Sequence, residues 1–193
     1  TSQAPSKVSI LDQIPQLSDC NTENPRIAII GSGPSALFTA KYLLQHNPQI
    51  SLHIIDKLFT PYGLVRNGIA PDHPEAKNVI FDFQTNVLNK PNVTFIGGVE
   101  VQQDDNMPSS VVTTDATINK PKVTMQQLYD HYHCVVIATG ASFGRKLLLP
   151  HENSTGIYDA REFVSWYNGH PDYKDLLPAI QTSKNAIIIG NGN

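Results

Sequence analysis

The sequence is poor in cysteine, in charge and in long apolar runs, and each shortage excludes a class of protein. Its two cysteines, Cys20 and Cys134, form no CxxC pair, so we predict neither a disulfide framework nor a dithiol redox centre and expect a reducing compartment. The formal net charge of -3 provides no basic field for nucleic acid. No apolar run approaches the roughly 20 residues that a membrane span requires.

The apolar content is enough for one full core. Of the 193 residues, 40% are hydrophobic, which favours one domain and the beginning of a second. Residues 1–25 are polar, and we expect them to be a poorly ordered leader left after processing or trimming. Because the sequence stops in mid-motif, just after an apolar run at residues 186–189, we expect the chain to be a fragment.

A βαβ unit of the Rossmann type is predicted near the start. Residues 26–30 form a continuous apolar run typical of a strand that is buried on both faces of a parallel sheet. A glycine turn, Gly31-x-Gly33-x-x-Ala36, follows at once and opens a helix. Leu37, Ala40, Leu43 and Leu44 share one face of this helix. Residues 51–56 form a second strand, which ends on an acid, Asp56.

This spacing indicates a dinucleotide site. Gly31 permits a tight turn, Gly33 lets a pyrophosphate approach the backbone, and Ala36 is small enough for close helix–sheet packing. The helix that begins at Pro34 and Ser35 offers the free N–H groups of its N-terminus, among which proline contributes none, to a diphosphate. Asp56 can accept hydrogen bonds from a ribose and repels a 2′-phosphate, which favours FAD or NAD over NADP. The alternative is an ordinary strand–turn–helix whose glycines serve packing.

The remaining pattern predicts a longer α/β domain and the start of another. Residues 57–74 are a long Pro- and Gly-rich loop, of a length that is often functional. We predict a helix over 75–88, a strand over 93–96, a polar insertion over 105–122 and a buried strand from Cys134 that ends at Gly140. Thr124 and Asp159 begin short helices, and Gly169 ends the second. We therefore assign 26–140 to a nucleotide-binding domain and 141–193 to the start of a second.

A second glycine turn closes the sequence. Residues 186–189 are predicted to form another strand, followed by Gly190, Asn191, Gly192 and Asn193. The repetition indicates a second dinucleotide site. Two such sites in one chain usually pair a flavin with a nicotinamide nucleotide. The missing CxxC pair argues against a disulfide reductase.

Longer motifs resemble one family. These are PYGLVR at residues 61–66, GIAPDHPE at 68–75, KNV at 77–79, REFVSWYNG at 161–169 and GNGN at 190–193. They are similar to the signature of the adrenodoxin reductase family, FAD-containing NADPH:ferredoxin oxidoreductases. The resemblance runs from about residue 26 to the end, apart from the polar insertion.

The resemblance implies a set of cofactor contacts. FAD is expected to meet the backbone of Ser35, the side chain of Asp56, Leu64 and Val101, with the loop at Leu64 and Val65 near the isoalloxazine ring. The full set expected at FAD is Gly31, Gly33, Pro34, Ser35, Ala36, Asp56, Gly63, Leu64, Val65, Val101 and Gly140. The set expected at NADP is Gly190, Asn191, Gly192 and Asn193. His73 is the candidate catalytic residue, close to the meeting point of flavin and nicotinamide.

The family also implies the reaction and its setting. Electrons are expected to pass from NADPH through FAD to a ferredoxin- or adrenodoxin-type [2Fe-2S] protein, in the mitochondrial matrix. The full-length protein is expected to be a monomer with at most a peripheral membrane association. The sequence departs from the family where Asp56 replaces a common glutamate and where Asn67 replaces an aromatic residue. In this family the FAD domain is discontinuous, with the NADP domain inserted after the strand at residues 134–139.

Other interpretations stay open at this point. The chain is alternatively a truncated or non-catalytic nucleotide-binding module, or part of another FAD-dependent enzyme such as a monooxygenase. His73 is either a relay or a histidine held by loop backbone, and Cys134 is expected in the core. Three basic residues either meet an acidic carrier or lie on the solvated surface: Arg145, Lys146 and Arg161. Trp166 and Tyr167 are expected to pack, and no metal site is predicted, since His131 and His133 do not share a helix face.

Overall fold

Four parallel strands form the main sheet, in the order β3-β2-β1-β6. The computed structural model describes residues 14, 24–103, 120–141, 144 and 146–190. The strands of this sheet are β1 (Arg26–Ile30), β2 (Ser51–Asp56), β3 (Val93–Gly97) and β6 (Cys134–Ile137). A parallel sheet with helical crossovers is the α/β architecture that the sequence predicts.

The helices follow the strands in alternation. They are α1 (Pro34–His46), α2 (Leu64–Asn67), α3 (Val79–Phe83), α4 (Met125–His131) and α5 (Ala160–Tyr167). A 3₁₀ helix, Pro74–Asn78, leads into α3, and a π-helical turn, Gln84–Leu88, continues from it. The predicted helix over 75–88 is therefore confirmed as one continuous helical path of three geometries. A second 3₁₀ helix, Pro171–Tyr173, follows α5.

Central position in the sheet explains the burial of β1. It pairs with β2 on one side and with β6 on the other, so that Ala28 and Ile29 have no exposed surface. Ile29 belongs to a core cluster with α1 and the helical segment after it, including Phe83. Ala28 faces the opposite cluster, which includes Leu128 of α4. The unbroken apolar run of β1 reflects this burial on both faces.

The structure confirms the predicted inner face of α1 and the predicted starts of α4 and α5. Leu37, Ala40 and Leu44 are buried on the inner face of α1. Thr124 and Gln127 form a reciprocal capping box at the start of α4. The Asp159 side chain accepts a hydrogen bond from the backbone N–H of Arg161 at the start of α5. These short-range patterns are readable because their partners lie within one helical turn.

A small second sheet lies beside the main one. Strands β4 (Glu100–Gln102) and β5 (Lys122–Thr124) pair in parallel. Most of the predicted insertion over 105–122 lies outside the described residues, and Lys122 already belongs to β5. Of the predicted leader, residues 14, 24 and 25 are described, and Ile14 packs against the cluster around Leu128. The described residues contain no helix long and apolar enough to cross a membrane.

Two predicted buried segments are instead exposed. Cys134 lies on the surface, and Ile137 at the other end of β6 is 67% exposed. The core assignment of Cys134 is wrong because β6 is the edge strand of the described sheet and pairs only with β1. Residues 186–189 form no strand in the described chain, and Ile187 is 90% exposed. An apolar run forms a β-strand only where a neighbouring strand pairs with it, and none of the described residues forms such a neighbour here.

Candidate functional site

A crevice opens at the carboxyl ends of β1, β2 and β6. Since β1 lies between β2 and β6, connections leave this point in both directions, which is where open α/β sheets bind ligands. The first wall is the turn after β1 together with the ends of β2 and β6. Its lining residues are Gly31, Ser32, Gly33, Pro34, Ser35, Asp56, Lys57, Leu58, Ala138, Thr139, Gly140 and Ala141.

The first residue of the turn must be glycine. Gly31 has a φ of +102°, and a Cβ built on it would lie 2.3 Å from the carbonyl oxygen of Ala138. Its backbone N–H donates to the carbonyl of Ile55 at 2.7 Å. Both a strained backbone angle and a direct clash with the backbone just after β6 therefore exclude any side chain. The turn is held between the two strands that flank β1.

The N-terminus of α1 is open to an anion. Its N-cap residue is Gly33, and no side chain caps the helix. In the described chain, the N–H groups of Ser35 and Ala36 have no protein acceptor. A Cβ at Gly33 would meet nothing within 4 Å. Free donors behind an open glycine fit a diphosphate, since the helix dipole adds positive potential at the same point.

Asp56 points towards the turn and holds it. Its Oδ2 accepts hydrogen bonds from the Ser32 N–H at 2.7 Å and from Ser32 Oγ at 2.5 Å. Its Oδ1 accepts from the Leu58 N–H at 2.8 Å. A carboxylate has about four acceptor positions, so one remains for a ribose hydroxyl. The sequence predicts the ribose contact but gives no sign of this internal role.

The long loop lies directly on the glycine turn. The Tyr62 N–H donates to the carbonyl of Ser32 at 2.9 Å, which anchors the start of α2. A Cβ at Gly63 would lie 2.9 Å from the Gly33 Cα, so this close approach requires glycine. Leu64 is half-exposed and lines the crevice, together with the buried Asn67. The predicted loop residues are thus brought to the predicted turn.

A second wall comes from α5 and the 3₁₀ helix after it. It contributes Arg161, Ser165, His170, Asp172 and Tyr173 to the crevice. This wall is joined to α2 where the Asn168 amide donates to the Asn67 carbonyl at 3.3 Å, and to the first wall where Lys57 Nζ lies 3.5 Å from Asp172 Oδ2. Burial lowers the pKa of His170 below its usual value, which favours the neutral ring inside the crevice.

Comparison with known proteins decides the family. The chain is 41% identical over 176 residues to the mitochondrial NADPH:adrenodoxin oxidoreductase of Arabidopsis thaliana, and the match covers 91% of this chain. It is 40% identical over 171 residues to the enzyme of the same name from Bos taurus, with 89% of this chain covered. The chain belongs to the adrenodoxin reductase family. It spans about a third of these relatives, 32% and 31% of their lengths.

A solved structure gives the same result for the fold. FprA, an oxidoreductase from Mycobacterium tuberculosis, matches with a TM-score of 0.68 and 34% identity. The match covers 80% of this chain and 31% of FprA, and one of the matching structures is a complex with NADPH. No protein-family model matches the chain.

Several residues expected at cofactors in an adrenodoxin reductase lie outside the crevice lining. Ala36 is buried against the core, as is Val65. Val101 lies in β4 and packs on the second cluster. Gly190 is exposed in a segment without regular structure, and Asn191, Gly192 and Asn193 lie outside the described residues.

His73 lies on the surface. Its side chain is 63% exposed, and its Nδ1 lies 3.2 Å from Asp72 Oδ1. The hydrogen bond to Asp72 raises the pKa of His73 and favours the protonated ring. It does not line the crevice, so its role at the nicotinamide stays a prediction.

The other candidate residues have ordinary partners. His131 Nδ1 lies 2.7 Å from the Gln127 carbonyl, while His133, beyond the end of α4, accepts from the Arg26 N–H. Trp166 and Tyr167 both contact the Phe163 ring, which agrees with packing.

The three basic residues considered for contact with an acidic carrier do not share one surface in the structure. Lys146 is exposed, Arg145 lies outside the described residues, and Arg161 faces the crevice rather than an outer surface. The sequence did not predict the second wall of the crevice. The signal that could have indicated it is the REFVSWYNG motif at residues 161–169, which includes Arg161 and Ser165 of this wall.

Proposed function

We propose that the crevice binds FAD and that this chain is part of an enzyme that passes electrons from NADPH through FAD to a ferredoxin- or adrenodoxin-type [2Fe-2S] protein. The observation that carries the proposal is the uncapped N-terminus of α1 behind the open Gly33. The relatives' name, NADPH:adrenodoxin oxidoreductase, supports the electron donor and the class of acceptor. Their mitochondrial location supports the mitochondrial matrix as the compartment.

Different residues of the crevice are assigned to different parts of the cofactor. The diphosphate is assigned to the turn and the first turn of α1, where free N–H groups point at it. The adenosine ribose is assigned to the remaining acceptor position of Asp56. The residues proposed at FAD are Gly31, Gly33, Pro34, Ser35, Ala36, Asp56, Gly63, Leu64, Val65, Val101 and Gly140.

The role of the protein is to bind and orient the reactants. FAD, once bound, supplies the chemistry that takes two electrons from NADPH and releases them one at a time. The first wall, α2 and the second wall would hold the cofactor and would exclude water from the crevice. Gly190, Asn191, Gly192 and Asn193 are proposed to begin the NADP turn, and His73 to position the nicotinamide.

The decisive experiment fills the space in front of Gly33. Gly33→Val in the full-length protein adds atoms where nothing lies within 4 Å, at a residue with an ordinary φ of -75°. The fold should survive, whereas the diphosphate loses its approach to the backbone. We expect FAD binding, followed by flavin fluorescence, to weaken by about tenfold or more, equivalent to roughly 1.4 kcal/mol. NADPH-driven reduction of ferredoxin should fall with it, and Gly33→Ala should fall between the two.

A matched control places the same side chain elsewhere. Thr85→Val puts valine on an exposed helical residue away from the crevice and should leave FAD binding unchanged. Wild-type protein that purifies without flavin and does not take up FAD would contradict the proposal. A protein that binds FAD but reduces no ferredoxin with NADPH would support the non-catalytic module instead.

A further inference from the structure

Asn67 carries an amide that no protein group uses. It is the last residue of α2, is 5% exposed and lines the crevice. Within the described chain, its side-chain amide makes no hydrogen bond. Buried amides are almost always hydrogen-bonded, because leaving one without a partner is costly. No side-chain N or O atom of the described residues is both sealed from solvent and unpartnered, so the Asn67 amide still reaches the crevice.

The backbone of Asn67 is fixed at both of its polar groups. Its N–H donates to the Gly63 carbonyl at 3.1 Å, within α2. Its carbonyl accepts from the Asn168 amide at 3.3 Å, which ties it to the end of α5. With both backbone groups engaged, the side-chain amide is the part of Asn67 that is free to meet a ligand. Its direction is set by two helices rather than by a mobile loop.

The position of Asn67 separates it from the diphosphate. The start of α2 lies on the glycine turn, with Gly63 against Gly33. Asn67 is four residues further along this helix, about 6 Å at the rise of an α-helix. The diphosphate and ribose of FAD are assigned to the free N–H groups of α1 and to Asp56. Adenine adjoins the ribose that is assigned to Asp56, which leaves the flavin half of the cofactor for α2, the helix that also carries Leu64.

The chemistry of the side chain fits that half. A carboxamide is uncharged and offers two donors and one acceptor. The ribityl hydroxyls and the polar edge of isoalloxazine are likewise uncharged and present both donors and acceptors. We propose that the Asn67 amide hydrogen-bonds to the flavin half of FAD and so contributes to flavin binding and orientation. This inference rests on the proposed function, since it requires FAD in the crevice.

The test separates the two halves of FAD. In the full-length protein, stripped of flavin, Asn67→Leu keeps the branched shape and the number of heavy atoms of the side chain but removes the hydrogen bonds. We expect FAD to bind about five- to tenfold more weakly, as for the loss of one buried hydrogen bond. The affinity for ADP, which lacks the flavin half, should not change. The visible absorption maximum of the bound flavin should also shift, which a purely structural role of Asn67 would not produce.

The control and the second variant make the result decisive. Asn86→Leu removes an exposed amide that donates to Asp82 outside the crevice, and should leave FAD affinity and spectrum unchanged. If Asn67→Leu fails to fold, as thermal unfolding of the apoprotein would show, the smaller polar Asn67→Ser replaces it, with a weaker effect in the same direction. Unchanged FAD affinity and spectrum, or equal loss for FAD and ADP, would overturn the inference. If wild-type protein and Asn86→Leu do not bind FAD either, the proposed function has failed instead.

Discussion

Gly31 and Gly190 follow similar apolar runs but lie in different surroundings. Their φ angles are alike, at +102° and +114°. A side chain at Gly31 would lie 2.3 Å from the Ala138 carbonyl oxygen, whereas one at Gly190 would meet nothing within 4 Å. The first run pairs with a strand on each side, while residues 186–189 pair with none in the described chain. An apolar run followed by glycine becomes a rigid turn only where neighbouring strands hold it.

The largest expected effect comes from Gly31→Ala. The added Cβ combines a backbone angle that L-residues rarely adopt with a clash against the Ala138 backbone, directly after β6. We expect the free energy of unfolding to fall by about 3 kcal/mol or more, because neither cost can relax without separating two paired strands. Urea unfolding followed by circular dichroism measures the change.

Gly190→Ala is the matched substitution in the second region. It has the same backbone angle but no packed neighbour, so the segment can adjust. The loss should be less than about 1 kcal/mol. Equal losses at the two glycines would show that residues 186–190 are held as tightly as β1, and the comparison between the regions would be wrong.

The sequence predicts the first region well because its determinants are local. The order of strand, glycine turn, helix and acid fixes β1, α1 and β2 within 31 residues, from Arg26 to Asp56. The Thr124 capping box likewise has both partners within one turn of helix. In such segments, the pattern that predicts the element also contains the residues that stabilise it.

Contacts distant in sequence were harder to predict. The crevice brings Arg161 and His170 opposite a turn that precedes them by more than a hundred residues, and no local pattern encodes that distance. The exposure of Cys134 depends on which strand lies at the sheet edge. The internal bonds of Asp56 depend on its side-chain length, since its carboxylate reaches Ser32. Tertiary placement decides each of these.

Asp56 and Asp159 provide the second comparison. Asp56 accepts three hydrogen bonds, two of them from Ser32, which is fully buried. Among the described residues, Asp159 accepts one, from the Arg161 N–H at the start of α5. Asp56→Ala should therefore cost about 2–4 kcal/mol of unfolding free energy, since it leaves buried donors without an acceptor. Asp159→Ala should cost about 1 kcal/mol, the usual value for a lost N-cap.

Asp56→Asn refines this comparison. An amide oxygen can still accept from Ser32 or from Leu58, but its NH₂ group cannot accept from either. Its stability, from the same urea titration, should lie between wild type and Asp56→Ala. If Asp56→Ala is no less stable than Asp159→Ala, the carboxylate does not hold the turn, and its role is confined to the ligand.

The smallest expected effect is a difference in pH dependence between two histidines. Burial, with a smaller contribution from Arg26, lowers the pKa of His53, whose Nδ1 lies 2.8 Å from the Tyr132 hydroxyl. Burial also lowers the pKa of His170, but there Asp172 opposes the shift. In each case, the unfolded chain takes up a proton more readily than the fold. Their contribution to stability is therefore complete above the ordinary pKa of 6.5 and is lost as pH falls below it.

Glutamine substitutions isolate this contribution, because glutamine does not titrate. The difference in unfolding free energy between wild type and His53→Gln should shrink as pH falls from about 8 to about 5.5, since only wild type takes up the extra proton on unfolding. His170→Gln should show the same trend with a smaller amplitude, because the nearby Asp172 carboxylate stabilises the protonated ring. A difference for His53→Gln that is constant with pH would mean that this ring is solvated. A larger pH-dependent change for His170→Gln than for His53→Gln would mean that the His170 ring, in the second wall, is more completely shielded from water than the His53 ring, in the sheet.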